Sequence, residues 1–183
     1  MRYEMKYFTP ELLDRYGSID DAVADQAQAD WEQASAEYQR HYKTIETSLP
    51  TKLREVLGRF YLHDARLFGV SLELPYLFLT LQLDTPPHEV LVFQYHLVKE
   101  PEILRSNESS DSCPYVEWLY DELEVKNVDN IVYLEHAILL TNGVELRIPF
   151  LRFDHLVQSP PFQSWPTGVA TIPAVAARPQ FIS

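Results

Sequence analysis

The sequence predicts an α+β domain: N-terminal helices at about 9–60 packed on one face of a mostly antiparallel sheet of five to six strands at about 66–155, then an extended Pro-rich tail. Three observations carry this prediction. Apolar residues recur every three or four positions as far as Leu62 and every second position after Ala65, the periods of helix and strand. The alternating runs are joined by short turns with no helix-length crossover, the signature of antiparallel pairing. Beyond Ser159 the prolines 160, 161, 166, 173 and 179 exclude both helix and central strand.

The first helix opens at Thr9-Pro10-Glu11, where Thr can cap free N–H groups and Pro fits the first helical position, and it ends near Gly17. Ser18-Ile19-Asp20-Asp21 supplies a second cap and places carboxylates at the positive end of a helix dipole. A long helix to about Thr47 follows, free of Gly and Pro, with Ile19, Val23, Ala27, Trp31, Ala34, Tyr38, Tyr42 and Ile45 forming one stripe. Few large aliphatics and several aromatics in that stripe suit a helix lying across a sheet or another helix. Trp31, Tyr38 and Tyr42 could dock a partner, although a stripe at helical spacing is ordinarily core. Pro50 begins a third helix with Leu53, Val56, Leu57 and Phe60 on one side, and Leu62-His63-Asp64-Ala65 is its exit.

Strands are predicted at Leu67–Leu74 and Tyr76–Leu83, joined tightly at Pro75, and at Val90–Val98 after the break at Pro86-Pro87. Glu100 to Pro114 reads as a polar, mobile loop. Tyr115–Val125 alternates as a strand, on which Glu117 and Asp121 share one face and Glu122 and Glu124 the other. The last two strands, Ile131–Leu140 and Val144–Phe153, flank Thr141-Asn142-Gly143; Asn-Gly tolerates positive φ at both turn positions and is the strongest short hairpin signal. Phe162, Trp165, Ile172, Val175 and Phe181 make the tail an apolar arm for its own domain or for a neighbouring chain, so a homo-oligomer held through this arm is one expectation. The division is one domain at 1–158 and an arm at 159–183.

Composition bounds the function. A chain of 183 residues buries about 70% of its unfolded surface in one core. Its 15 Lys and Arg against 27 Asp and Glu give a formal charge of −12, and no run of cations offers the counterion release on which binding to a phosphate backbone depends, so nucleic acid is excluded as a partner. The negative surface serves solubility and also suits a basic protein partner. One cysteine, Cys113, allows no intrachain disulfide and points to a reducing compartment. The charged start and the lack of about 20 consecutive apolar residues predict neither signal peptide nor membrane span, hence a cytoplasmic protein.

Candidate chemistry sits in two places. His63-Asp64 could ligate a metal or act as a base, but neighbours in an extended segment point apart, and an Asp at a junction often closes a turn. Glu117, Asp121, Glu122 and Glu124 form a dense acidic stretch, with Glu135-His136 on the following strand; paired, they would bring oxygen and nitrogen ligands together. His136 shares its face with Leu134, Ile138 and Leu140, the setting of a hydrogen-bonded core histidine. Cys113 has no Lys, Arg or helix N-terminus beside it in sequence to activate a nucleophile. No phosphate-loop, dinucleotide, nucleophile-elbow or zinc-protease motif occurs, and neither a cofactor nor a metal site is expected.

Met5-Lys6-Tyr7-Phe8-Thr9-Pro10-Glu11-Leu12, Leu62-His63-Asp64-Ala65 and the hairpin from Glu135 to Leu146 together resemble a family of bacterial proteins whose domain has no assigned function. The resemblance spans about residues 5–155. It implies a bacterial cytoplasmic protein, implies no reaction, and carries over no functional residue. The leading expectation is therefore a non-catalytic protein-binding or adaptor domain, of the immunity type that neutralises a basic toxin. Its rival is a metal-dependent hydrolase using His63, Asp64 and His136 with nearby carboxylates.

Overall fold

The computed structural model describes residues 5–105 and 115–159. The Pro-rich arm beyond 159 and Cys113 lie outside the described residues, as does most of the loop expected at 100–114. The helical third comprises α1 (Pro10–Tyr16), α2 (Asp21–Ile45), a single 3-10 turn (Glu46–Ser48) and α3 (Thr51–Arg59). The predicted caps form: Thr9 Oγ1 accepts from Leu12 N–H at 3.2 Å, and Asp20 Oδ1 from Ala22 N–H at 3.0 Å. Pro50 precedes α3 as its cap residue. The stripe on α2 is shorter than its spacing suggests. Ile19 is fully exposed and Val23 partly so, and the first buried position of α2 is Ala27.

Seven antiparallel strands follow: β1 (Arg66–Glu73), β2 (Tyr76–Gln82), β3 (Val90–Leu97), β4 (Glu102–Arg105), β5 (Trp118–Val128), β6 (Ile131–Leu140) and β7 (Val144–Gln158). The order is β1-β2-β3-β7-β6-β5, with β4 also paired to β7. β7 is the spine. Its first half pairs β6 and the short β4, and its second half pairs β3. β4 lies within the stretch read from sequence as loop. Four residues beside Pro101, with no alternation, give no strand signal, and the strand exists because β7 offers it a partner.

The sheet curls until its two ends meet. Asp64 N–H donates to Trp118 O at 2.8 Å, Trp118 N–H to Ala65 O at 2.9 Å and Leu67 N–H to Val116 O at 2.8 Å, so β1 and β5 close against each other at their starts. Closure satisfies backbone groups that a free sheet edge would leave open. Leu77, Leu79, Leu81, Leu91, Phe93, Tyr95, Trp118, Leu123, Ile138, Ile148 and Phe150 fill the concave side, each no more than 1% exposed. Leu53 and Val56 of α3 join this core, both fully buried. A second cluster on the opposite face of β5 and β6 holds Met5, Phe8, Ala137 and Leu139, with Trp31 and Tyr38 of α2 packed on it.

Turn chemistry differs in detail from the sequence reading. Gly143 has φ 70° while Asn142 keeps negative φ, and Gly143 N–H bonds Leu140 O at 2.9 Å, giving a three-residue loop that needs only one left-handed residue. The two-residue turn with positive φ at both positions instead joins β5 to β6, at Asp129 (φ 52°) and Asn130 (φ 65°). Among the described residues no helix is long and apolar enough to cross a membrane.

Candidate functional site

α2 lies over the open edge of β5. Leu123 N–H donates to Tyr38 Oη at 2.9 Å, and His41 Nε2 lies 3.1 Å from Leu123 O. Two side chains one helical turn apart thus satisfy both backbone groups of one strand residue. A helix in this place blunts an edge that would otherwise pair with another chain. Burial pushes the Tyr38 hydroxyl pKa well up, and the nearby charge of Asp121 adds to the effect.

The N-terminal segment is fastened beside it by Glu122, which is 3% exposed. Its Oε1 accepts from Tyr7 N–H at 2.7 Å and Phe8 N–H at 2.8 Å, and its Oε2 from Lys6 N–H at 2.9 Å. A carboxylate that accepts three backbone N–H groups makes charge-assisted bonds, the strong kind. Held this way, Phe8 packs against Tyr38, Trp31 and Tyr120, with ring centroids 5.1–5.4 Å apart. On the same face runs an alternating ladder of charges: Lys6–Glu124–Lys126–Glu135–Arg147–Glu145. Burial works to raise the Glu124 pKa, yet the ammonium groups of Lys126 and Lys6 outweigh it and hold the carboxyl below its ordinary value.

Between α2, the exit of α3 and the start of β5 opens a cleft of about 290 Å³. Aromatic side chains dominate its wall, among them Phe8, Tyr38, Phe60, Tyr61 and Tyr120. Asp121 is the one carboxylate that lines it, and no Lys or Arg is among the described lining residues. A β-bulge puts Asp121 there. The register slips between Trp118, opposite Leu140, and Tyr120, opposite Leu139, so Leu119 and Tyr120 both turn to the outer cluster and Asp121 turns inward opposite Ile138.

Asp121 is the outer end of a buried polar chain. Trp118 Nε1–H donates to Asp121 Oδ1 at 3.1 Å, His136 Nε2 lies 3.0 Å from Asp121 Oδ2, and Tyr95 Oη lies 3.0 Å from His136 Nδ1. The carboxylate only accepts, so His136 donates to it through Nε2, and in the neutral imidazole Nδ1 then accepts the Tyr95 proton. His136 is fully buried and the Asp121 side chain 19% exposed, so of the two it is the carboxylate that meets the cleft. Burial, with the Asp121 charge second, holds the Tyr95 hydroxyl well above its ordinary pKa.

Of the residues singled out from sequence, the fold unites Asp121 and His136. His63 lines the same cleft, and the others go elsewhere. The bulge sends Glu117 to the face opposite Asp121, with its carboxylate 3.7 Å from Arg66 Nε, correcting the shared face expected from plain alternation. Glu135 leaves the opposite face of β6 from His136 and pairs with Arg147 and Lys126. His63 lines the cleft and meets Tyr120 edge to face at 4.9 Å. Asp64 sits in the turn that Ala65 N–H closes on Leu62 O, with φ 65°, and Oδ1 lies 2.9 Å from His63 Nδ1 at an angle that makes no hydrogen bond. The pair is thus close, where an extended segment would have held it apart. Among the described residues no three His, Cys, Asp or Glu side chains converge as ligands for a metal ion. Sequence reasoning missed Trp118 and Tyr95, which signal only as core residues until strand pairing sets them beside Asp121 and His136.

No protein-family model matches this chain, and no curated protein matches it.

Proposed function

We propose that this chain is a non-catalytic protein-binding domain of a bacterial cytoplasmic protein, which engages a basic partner at the cleft between α2 and β5. The observation that carries the reading is the fixing of Asp121: each of its oxygens already accepts one internal hydrogen bond, from Trp118 and from His136. A general base must reach a substrate proton directly or through one water. The imidazole here is sealed in the core with both nitrogens engaged, so it has no route to hand a proton to or from the cleft, and the dyad serves to hold a positioned negative charge there. The formal charge of −12 steers a cationic surface toward the domain, and aromatic walls give it area to bury.

Calorimetry of the full chain with a synthetic basic peptide, and with the same peptide carrying Glu at each Lys and Arg position, tests this. The expected result is one-to-one binding of the basic peptide alone, weakening as salt rises. Equal binding of both peptides, or of neither, overturns it.

A further inference from the structure

Resting on that reading, we propose that the cleft is a receptor for a single arginine side chain, with the guanidinium seated on Asp121 between aromatic rings. Four features on three elements fit this group. The first is the anion. Trp118 and His136 occupy one acceptor direction on each Asp121 oxygen; an ionised carboxylate offers about four, so one remains on each oxygen, the arrangement that a two-pronged guanidinium bond needs.

The second is preorganisation. Both donors are fixed by the core, Trp118 at 1% exposure and His136 at 0%, so the carboxylate loses no rotamer freedom when a ligand arrives. With its side chain 19% exposed, its field is screened less than that of a surface acid.

The third is the wall. Tyr61 stands at the rim 63% exposed and stacks with His63 at 5.9 Å, while Tyr120 packs edge to face on His63 from inside. Flat rings suit a planar cation, which stacks on an aromatic face and is weakly hydrated, better than the compact, strongly hydrated ammonium of lysine. The fourth is the far side, where Ser35 and Gln39 of α2 line the cleft, two side chains whose oxygens can accept from the guanidinium N–H groups that Asp121 does not take. At about 290 Å³ the cleft lies at the lower limit for small-molecule pockets, a size for one side chain.

The test uses isotopically labelled full chain and three probes: N-acetyl-arginine amide, its lysine counterpart, and the citrulline counterpart that keeps the shape and removes the charge. The readout is the indole N–H resonance of Trp118, which donates its hydrogen bond to Asp121. The expected result is a saturable shift with arginine at a dissociation constant of about 1 mM, at least about fivefold weaker binding of lysine and about tenfold weaker binding of citrulline. Asp121→Asn abolishes the shift; because that variant also disturbs the buried chain, Tyr61→Ala at the exposed rim is the second probe, with a loss of about threefold expected from a missing stacking partner. Citrulline binding as well as arginine, or Tyr61→Ala without effect, overturns the inference. If the basic peptide still binds one-to-one and moves the Trp118 resonance while free arginine leaves it unmoved, the single-arginine assignment falls and the basic-partner reading stands; if neither binds, both fall.

Discussion

Replacing Glu122 by Ala removes the acceptor of three backbone N–H groups at 2.7–2.9 Å. The three are not equal. The Phe8 bond is buried, so its orphaned donor costs about 1–3 kcal/mol, whereas the Lys6 and Tyr7 donors lie nearer the surface and regain water, at about 0.5–1 kcal/mol each. The sum is about 2–5 kcal/mol, a large share of the stability of a small domain. Glu122→Gln is milder, because an amide oxygen in the place of Oε1 still serves Tyr7 and Phe8 while the NH2 group opposes Lys6 N–H; about 1 kcal/mol is expected. Urea denaturation with an unchanged slope measures both. A second arm separates the clamp from any general role of a buried acid: in a chain lacking residues 1–8 the Ala substitution should cost less than about 0.5 kcal/mol, since its partners are gone. A loss under about 1 kcal/mol in the full chain, or an equal loss in the shortened one, refutes the clamp.

Three further outcomes follow from the geometry. Tyr38→Phe leaves Leu123 N–H without its acceptor, which should cost about 1–2 kcal/mol and speed hydrogen exchange of that amide, and an unchanged exchange rate would show that α2 does not cover the β5 edge. Tyr95 and Tyr38 both have hydroxyl pKa values raised by burial; the folded state keeps these protons where the unfolded chain gives them up, so their contribution to stability is constant below about pH 10 and is lost as pH rises above it. Tyr95→Phe should make the fall shallower by up to about 1.4 kcal/mol per pH unit in denaturation midpoints taken from about pH 9 to 11.5, and an unaltered slope would contradict it. Leu53→Ala, at a fully buried position of α3 facing the concave core, should cost about 2–5 kcal/mol by urea melts, against less than about 0.5 for the exposed Ile19→Ala.

Much of this architecture is legible in local sequence because it is locally determined. Caps at Thr9 and Asp20 and the change of period at Ala65 depend on residues within a turn of one another, and each occurs where the pattern places it. What escapes is set by pairing. β4 has no pattern of its own and forms only against β7. The bulge at Leu119 reverses which acidic residues face inward, and nothing in Trp118-Leu119-Tyr120-Asp121 marks a slipped register, so alternation joins Glu117 to Asp121 when the fold separates them. Asp129-Asn130 is a weaker turn signal than Asn142-Gly143, yet the positive φ at both positions belongs to it. Within the candidate site, His136 reads correctly as a hydrogen-bonded core histidine, since its apolar neighbours at i±2 fix its face. Its partners do not, because Tyr95 and Trp118 come from strands far apart in sequence. Glu122, in the same acidic stretch, is a clamp for the chain's own N-terminal segment, a role visible only once Lys6, Tyr7 and Phe8 lie across it.

A basic partner of this domain has to meet Asp121 in the cleft. Titrating the labelled full chain with the basic peptide while following the Trp118 indole N–H resonance decides this, since that N–H donates its hydrogen bond to Asp121 Oδ1. The predicted result is a shift that saturates at one equivalent and is lost in Asp121→Asn. Calorimetric binding of the peptide with the Trp118 resonance unmoved, or an undiminished shift in Asp121→Asn, would contradict it.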